Sequence, residues 1–297
     1  MRHRLLAAVA VLTATLAQGA GPVDVSPLLT DRTIAVARID LTQLKMRPVA
    51  DWLIDSMKRA GAPTEQLTAA YQGGSAVALL GQPIVDGLRR LGVNDAAFVV
   101  QAHENPGQMP VAILAFTKPA DPAAAVRTLA PLGFRNGQIG NLQVFSPNLP
   151  PGTLAKLQPV VRPDLADPAA DTDGHVLTIA FVPHPSMATN PASKGVAMLK
   201  RTTMQLDVRT EPRLTTIVRT ASPEIAAEFK QKIAEQQQQF SDRPQSEADR
   251  IMAKALSALP MIVDGSDVTI DLRQADFDAF VSQYTSDSRP APRPATP

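Results

Sequence analysis

"AFTKPADPAAAVRTLAPL" (residues 115–132) and "IVRTASPEIAAEFKQKIA" (residues 217–234) decide the reading of this chain. Each leaves an apolar, strand-like segment, passes a short polar residue and a proline, and enters a helix-like segment. Asp121 and Ser222 have side chains suited to cap a helix, and Pro122 and Pro223 follow at the first helical position, where a missing N–H costs nothing. In the second copy Ile225, Phe229 and Ile233 recur every four residues and form a packing stripe. One local grammar written twice predicts a duplicated architecture.

Working outward, "TIAVARIDL" (33–41), "AAFVVQAHE" (96–104), "PVAILAFTK" (110–118) and "GQIGNLQVFS" (137–146) read as strands, the middle two joined across "NPGQM". Helical stretches between residues 47 and 91 are broken at Gly61-Ala62-Pro63 and at Gly73-Gly74. Residues 147–174 concentrate Pro, Asp and Ala and read as a linker or surface loop. After it come the strand "HVLTIAFVPH" (175–184), the helix "PASKGVAMLKR" (191–201), and a hairpin of "MQLDVRTE" (204–211) and "RLTTIVRTA" (213–221) around Glu211-Pro212. The capped helix follows, then a helix from Ser246, the strand region "MIVDGSDVTIDL" (261–272) and a closing helix from Ala275 to Tyr284. The expected fold is α+β: two tandem ferredoxin-like βαββαβ units, each an antiparallel sheet backed by helices on one face. The expected boundaries are a signal peptide at 1–19, a first unit at 28–146, the linker at 147–174, a second unit at 175–285 and a disordered tail at 286–297.

The strands differ in pattern. "AAFVVQA", "PVAILAF" and "HVLTIAFV" are apolar on both sides, as strands covered on both faces are. "MQLDVRTE" alternates instead, with Met204, Leu206 and Val208 opposite Gln205, Asp207 and Arg209. "SDVTIDLRQ" sets Val268, Ile270 and Leu272 against Asp267, Thr269, Asp271 and Arg273, and Arg213, Thr215 and Arg219 extend the polar set. The second half is therefore expected to show a charged, open sheet face. Asp207, Arg209, Arg219, Asp271 and Arg273 are its candidate partner-binding residues. The plainer reading is a solvated face of cross-strand ion pairs, each contributing a few tenths of a kcal/mol.

The first residues, MRHRLLAAVAVLTATLAQGAG, combine basic Arg2 and Arg4, an uncharged apolar run and small residues at Ala17 and Gly19. They read as a secretory signal cleaved after Gly19, with Ala17 and Ala20 as neighbouring sites and a retained anchor as the alternative. The run falls short of the roughly 20 apolar residues that span a bilayer. Without Arg2 and Arg4 the basic and acidic residues nearly balance, and aromatics make up only 4% of the chain. General attraction to nucleic acid or anionic lipid, and stacking of bases or sugars, both lose ground. With no cysteine, an exported fold must rest on its apolar core.

The sequence contains no G-x-S-x-G, S-x-x-K, H-E-x-x-H, P-loop or G-x-G-x-x-G motif. His103, His175 and His184 stand at predicted strand ends without a second histidine at ligand spacing. "DTDGH" (171–175) lacks the later ligands of a calcium loop. No cofactor or metal is expected.

The order "DRTIAVARIDLTQL", a hairpin, "TKPADPAAAVRTL" and then "LDVRTEPRLTTIVRTASPEIAAEFKQKI" resembles a loose group of exported bacterial proteins with a signal peptide and repeated strand–Asp/Ser–helix units. That resemblance implies export and an α+β fold, and no activity or site residue. Three functions follow from the residues: a non-catalytic envelope or periplasmic protein that binds another envelope protein, a hydrolase assembled from scattered Ser, His and carboxylate side chains, and a binder of small apolar ligands between the halves.

Overall fold

The computed structural model describes residues 23–45, 51, 54–55, 58, 64–103, 110–147, 152, 154–170, 175–184, 198–207, 213–242 and 260–276. Its strands are β1 (Thr33–Asp40), β2 (Asp95–Gln101), β3 (Val111–Thr117), β4 (Arg135–Ile139), β5 (Leu142–Ser146), β6 (Leu177–Phe181), β7 (Leu199–Asp207), β8 (Arg213–Thr220), β9 (Met261–Asp264) and β10 (Asp267–Arg273). Its longer helices are α1 (Thr64–Arg90), α2 (Pro122–Leu129), α3 (Pro163–Ala170) and α4 (Pro223–Asp242). The strands form one 10-stranded sheet in the order β4-β5-β3-β2-β1-β6-β7-β8-β10-β9, and every neighbouring pair is antiparallel.

This overturns the expected pair of ferredoxin-like units. A ferredoxin-like βαβ crossover returns the chain parallel to its first strand, whereas α1 connects β1 to its direct antiparallel neighbour β2. The stretches 137–146 and 261–272, each read as one strand, are both hairpins. Ile139 pairs with Leu142 around Gly140-Asn141, and Asp264 with Asp267 around Gly265-Ser266. Gly140 (φ 53°) and Gly265 (φ 56°) supply the positive φ that a two-residue loop needs at its first central position. Finally, β1 pairs with β6, so the sheet continues from one half into the other. Counted outward from that seam, the orders β1-β2-β3-β5-β4 and β6-β7-β8-β10-β9 are the same. The two opening stretches fall at β3–α2 and β8–α4.

Local chemistry explains the elements. Asp121 accepts the Ala124 N–H at 2.9 Å and caps α2, which tightens into a 3-10 turn and stops at Gly133 (φ 68°). Ser222 Oγ accepts the Ile225 N–H at 3.4 Å at the start of α4. Three segment boundaries differ from expectation. α1 runs unbroken through Gly73-Gly74 and Pro83, and Leu199–Arg201 belongs to β7 rather than to a helix. Part of the stretch read as a linker folds as a 3-10 turn (Leu154–Lys156) and α3. The signal peptide, the "NPGQM" and Glu211-Pro212 turns, Asp171–Gly174, the helix from Ser246, most of the closing helix and the tail lie outside the described residues.

Helices occupy both faces of the sheet, not one. Val36, Val99, Ile113, Ala115 and Val144 share one face and are fully buried. α3 packs on this face over β1 and β6, with Leu165 and Ala169 at 0% exposure, and Leu154 sits against Gly137 of β4. α4 covers the opposite face of the second half, packing Ala226 and Phe229 on Val218, Val268, Met261 and Val263. Phe116 and Phe145, stacked at 5.5 Å, fill the core of the first half.

One polar side chain joins these parts. Arg38, in the centre of the sheet and 2% exposed, donates from Nη2 to Asp95 and from Nη1 to the Ala169 carbonyl at 3.4 Å, at the end of α3. The same Asp95 oxygen accepts the Val23 N–H at 2.7 Å. Nearby, Arg162 binds the Asp164 carboxylate and donates to the carbonyls of Thr33 (3.0 Å) and Thr30 (3.3 Å), while the Val160 N–H reaches Leu29. Residues 160–170 are thus tied to residues 23–38. Asp95→Ala strands a buried guanidinium and should lower the unfolding free energy by about 3–5 kcal/mol in urea denaturation. Removing both charges, as Arg38→Met with Asp95→Leu, should cost clearly less than the single change.

Candidate functional site

The polar face of β7, β8, β10 and β9 is built row by row from the strand register. Arg201, Arg219, Asp267 and Asp264 lie opposite one another across the four strands. The next row is Thr203, Ile217, Thr269 and Ile262. Gln205, Thr215 and Asp271 make the third, and Asp207, Arg213 and Arg273 the fourth. Successive rows are about 7 Å apart, two residues along a strand. An apolar and threonine strip therefore runs between charged rows, and it ends at Ile262, which is 64% exposed.

The charges are engaged with one another. Arg219 holds Asp267 bidentately, with Nε at 2.8 Å and Nη2 at 2.7 Å. Arg213 holds Asp271 in the same way, at 2.6 and 2.7 Å, and the Thr215 hydroxyl donates to that carboxylate at 3.3 Å. Arg273 adds a longer contact to Asp271 at 3.6 Å. Besides Asp264 opposite Asp267, two pairs of arginines stand directly opposite, Arg201 with Arg219 and Arg213 with Arg273, a placement that is unfavourable alone. An aspartate relieves each: hydrogen bonds from Arg219 and its charge, with that of Arg201, hold Asp267 below the usual carboxylate range. Arg213, chiefly by hydrogen bonding, and Arg273 do the same for Asp271. Asp164 on α3 is likewise held low, first by its hydrogen bond from Arg162 and further by the charge of Arg201.

Of the residues singled out from sequence, Asp207, Arg219, Asp271 and Arg273 lie on this face, and Arg209 is outside the described residues. Arg213 and Asp267 complete the ion pairs. Arg201, Ile217 and Ile262 carry no such signal in the sequence: Arg201 closes a stretch with helical pattern, and Ile262 lies in an apolar run that shows no turn of its own. His175 precedes β6 and His184 follows it, so they sit at opposite ends of that strand, and His103 follows β2. Among the described residues, no three His, Cys, Asp or Glu side chains are placed to share a metal ion, and no helix is long and apolar enough to cross a membrane.

No family model and no curated protein matches the chain. Among solved structures it is similar to TP0453 in crystal form I, at 9% identity over 88% of this chain and 98% of that one, with a TM-score of 0.38.

The depressed carboxylates set a pH dependence. A folded-state pKa below the unfolded value of about 3.9 gives stabilisation that is present above that pH and lost as pH falls through the lower folded value. NMR titration should show Asp267 and Asp271 ionising below the ordinary range, with Arg219→Ala and Arg213→Ala returning each towards about 3.9. Both variants should lose only a few tenths of a kcal/mol, because the pairs are solvent-accessible.

Proposed function

We propose that the protein is a non-catalytic, exported envelope or periplasmic module that binds another envelope protein on the face of β7, β8, β10 and β9. The observation that carries this reading is the strip of Ile217, Thr269 and Ile262, flanked by the Arg219–Asp267 pair on one side and by the Arg213–Asp271 pair on the other. An apolar centre within a polar, charge-bearing frame is the anatomy of a protein–protein interface. The ion pairs hold their side chains in place before any partner arrives, which lowers the ordering cost of binding. The partner is expected to present a shallow apolar strip with flanking charges of both signs. The export half of the proposal rests on residues 1–19 and is checked by N-terminal sequencing of the protein recovered from its host.

A photo-crosslinking amino acid at Thr269 should trap one discrete partner in intact cells, and the same label at Lys230, exposed on α4, should not. Arg219→Glu combined with Ile262→Asp should abolish the Thr269 adduct. Equal labelling from both positions, or an adduct that survives the double variant, would remove this face as the binding surface.

A second reading has its own observation, on the opposite side of the sheet. Leu177, Leu206, Leu214 and Leu272 lie in one row across β6, β7, β8 and β10, with Ile179, Met204, Thr216 and Ile270 beside them. Each is only partly buried. Rows of this kind suit an acyl chain or another flat apolar ligand. Titration with a fluorescent fatty acid should then give saturable binding that Leu206→Arg and Leu214→Arg both abolish. Unsaturable uptake, or no loss in either variant, would end this reading.

A further inference from the structure

We propose that the protein self-associates through β9, two copies pairing their outer strands antiparallel about a two-fold axis perpendicular to the sheet. This inference is independent of the partner and ligand readings above. β9 ends the sheet, and among the described residues no strand pairs with its outer side. Natural sheets blunt such edges with charge, proline or a covering segment. β9 carries its one charge at the hairpin end, Asp264, and Pro260 stands just before it; the residues between, Met261-Ile262-Val263, are uncharged, and Ile262 keeps 64% exposure.

The backbone selects the register. In a two-residue hairpin the closing pair, here Asp264 with Asp267, exchanges both hydrogen bonds, and bonded and non-bonded pairs then alternate. Ile262 with Thr269 is therefore the next bonded pair, and Met261 and Val263 turn their N–H and C=O groups outward. A two-fold axis through Ile262 sets Met261 of each copy against Val263 of the other, so that every outward group finds a partner. The two Ile262 side chains then meet in a non-hydrogen-bonded pair with Cα atoms about 4.5 Å apart. Asp264 falls opposite Pro260 of the second copy, so no like charges face one another. A register shifted to pair Val263 with itself would instead set Ile262 against Asp264. The axis keeps both polar faces on the same side, and the strip ending at Ile262 would continue into the second copy.

Two changes to the full mature chain test this. Val263→Pro removes an N–H that points away from β10, so the β9–β10 pairing is kept while the outer edge is blocked. Sedimentation velocity over a concentration series should show a monomer–dimer equilibrium for the parent and loss of the dimer in Val263→Pro. Because the chain has no cysteine, Ile262→Cys places a single thiol at the axis. Under mild oxidation it should form a disulfide-linked dimer faster than Lys230→Cys, since Cα atoms at that spacing lie within disulfide range. A parent that stays monomeric throughout, a dimer untouched by Val263→Pro, or equal oxidation rates at 262 and 230 would each overturn the proposal. None of these results bears on crosslinking to a different protein from Thr269, so the partner reading stands or falls separately.

Discussion

The buried guanidinium of Arg38 constrains the rest of this structure. A charge in the middle of a wide sheet loses its hydration, and the loss is tolerable only when a counter-charge and further acceptors surround it. Asp95 on the neighbouring strand supplies the first, and the carbonyl at the end of α3 supplies a second. A cation at a helix C-terminus also meets the negative end of the helix dipole. These demands fix where α3 must lie. Once α3 is held over β1 and β6, the chain leading into it, from Leu154, closes the same face of the first half.

The difference between the halves follows from that placement. Their strand orders are the same, yet α3 has only eight residues and makes little contact beyond β6. Where that face of the first half is closed, strands can be apolar on both sides, as β2 and β3 are. Beyond it, β8, β10 and β9 must satisfy water on one face, and they do so with threonines and paired charges. Topology alone therefore does not say which half leaves a polar sheet face open. The short segment lying across one half decides it.

Much of the local chemistry was legible in the sequence. The caps at Asp121 and Ser222, and the polar alternation of 204–207 and 267–273, are short-range effects that a chain cannot hide. The hairpins were harder but left a trace. Gly265-Ser266 and Gly140-Asn141 each interrupt their stretch with a glycine followed by a small polar residue, the composition of a two-residue hairpin loop. The seam between β1 and β6 left no local trace, because periodicity reports which face a residue takes and never which strand lies beside it. For the same reason the polar face could be named while its ion pairs could not. Matching Arg219 to Asp267 and Arg213 to Asp271 requires the register that the second hairpin sets.

The charged rows are better understood as a frame than as a source of affinity. Each exposed pair is worth little by itself, and each aspartate is already occupied by its arginine before a partner approaches. A partner that met these rows would have to match charges already committed, which discriminates among partners more than it strengthens binding. Affinity would have to come from excluding water over Ile217, Thr269 and Ile262, where short side chains on a rigid sheet lose little freedom on contact. On the proposed reading, neighbouring residues on one face would take different roles: the isoleucines would set how tightly a partner holds, and the arginine–aspartate pairs would set which partner it is.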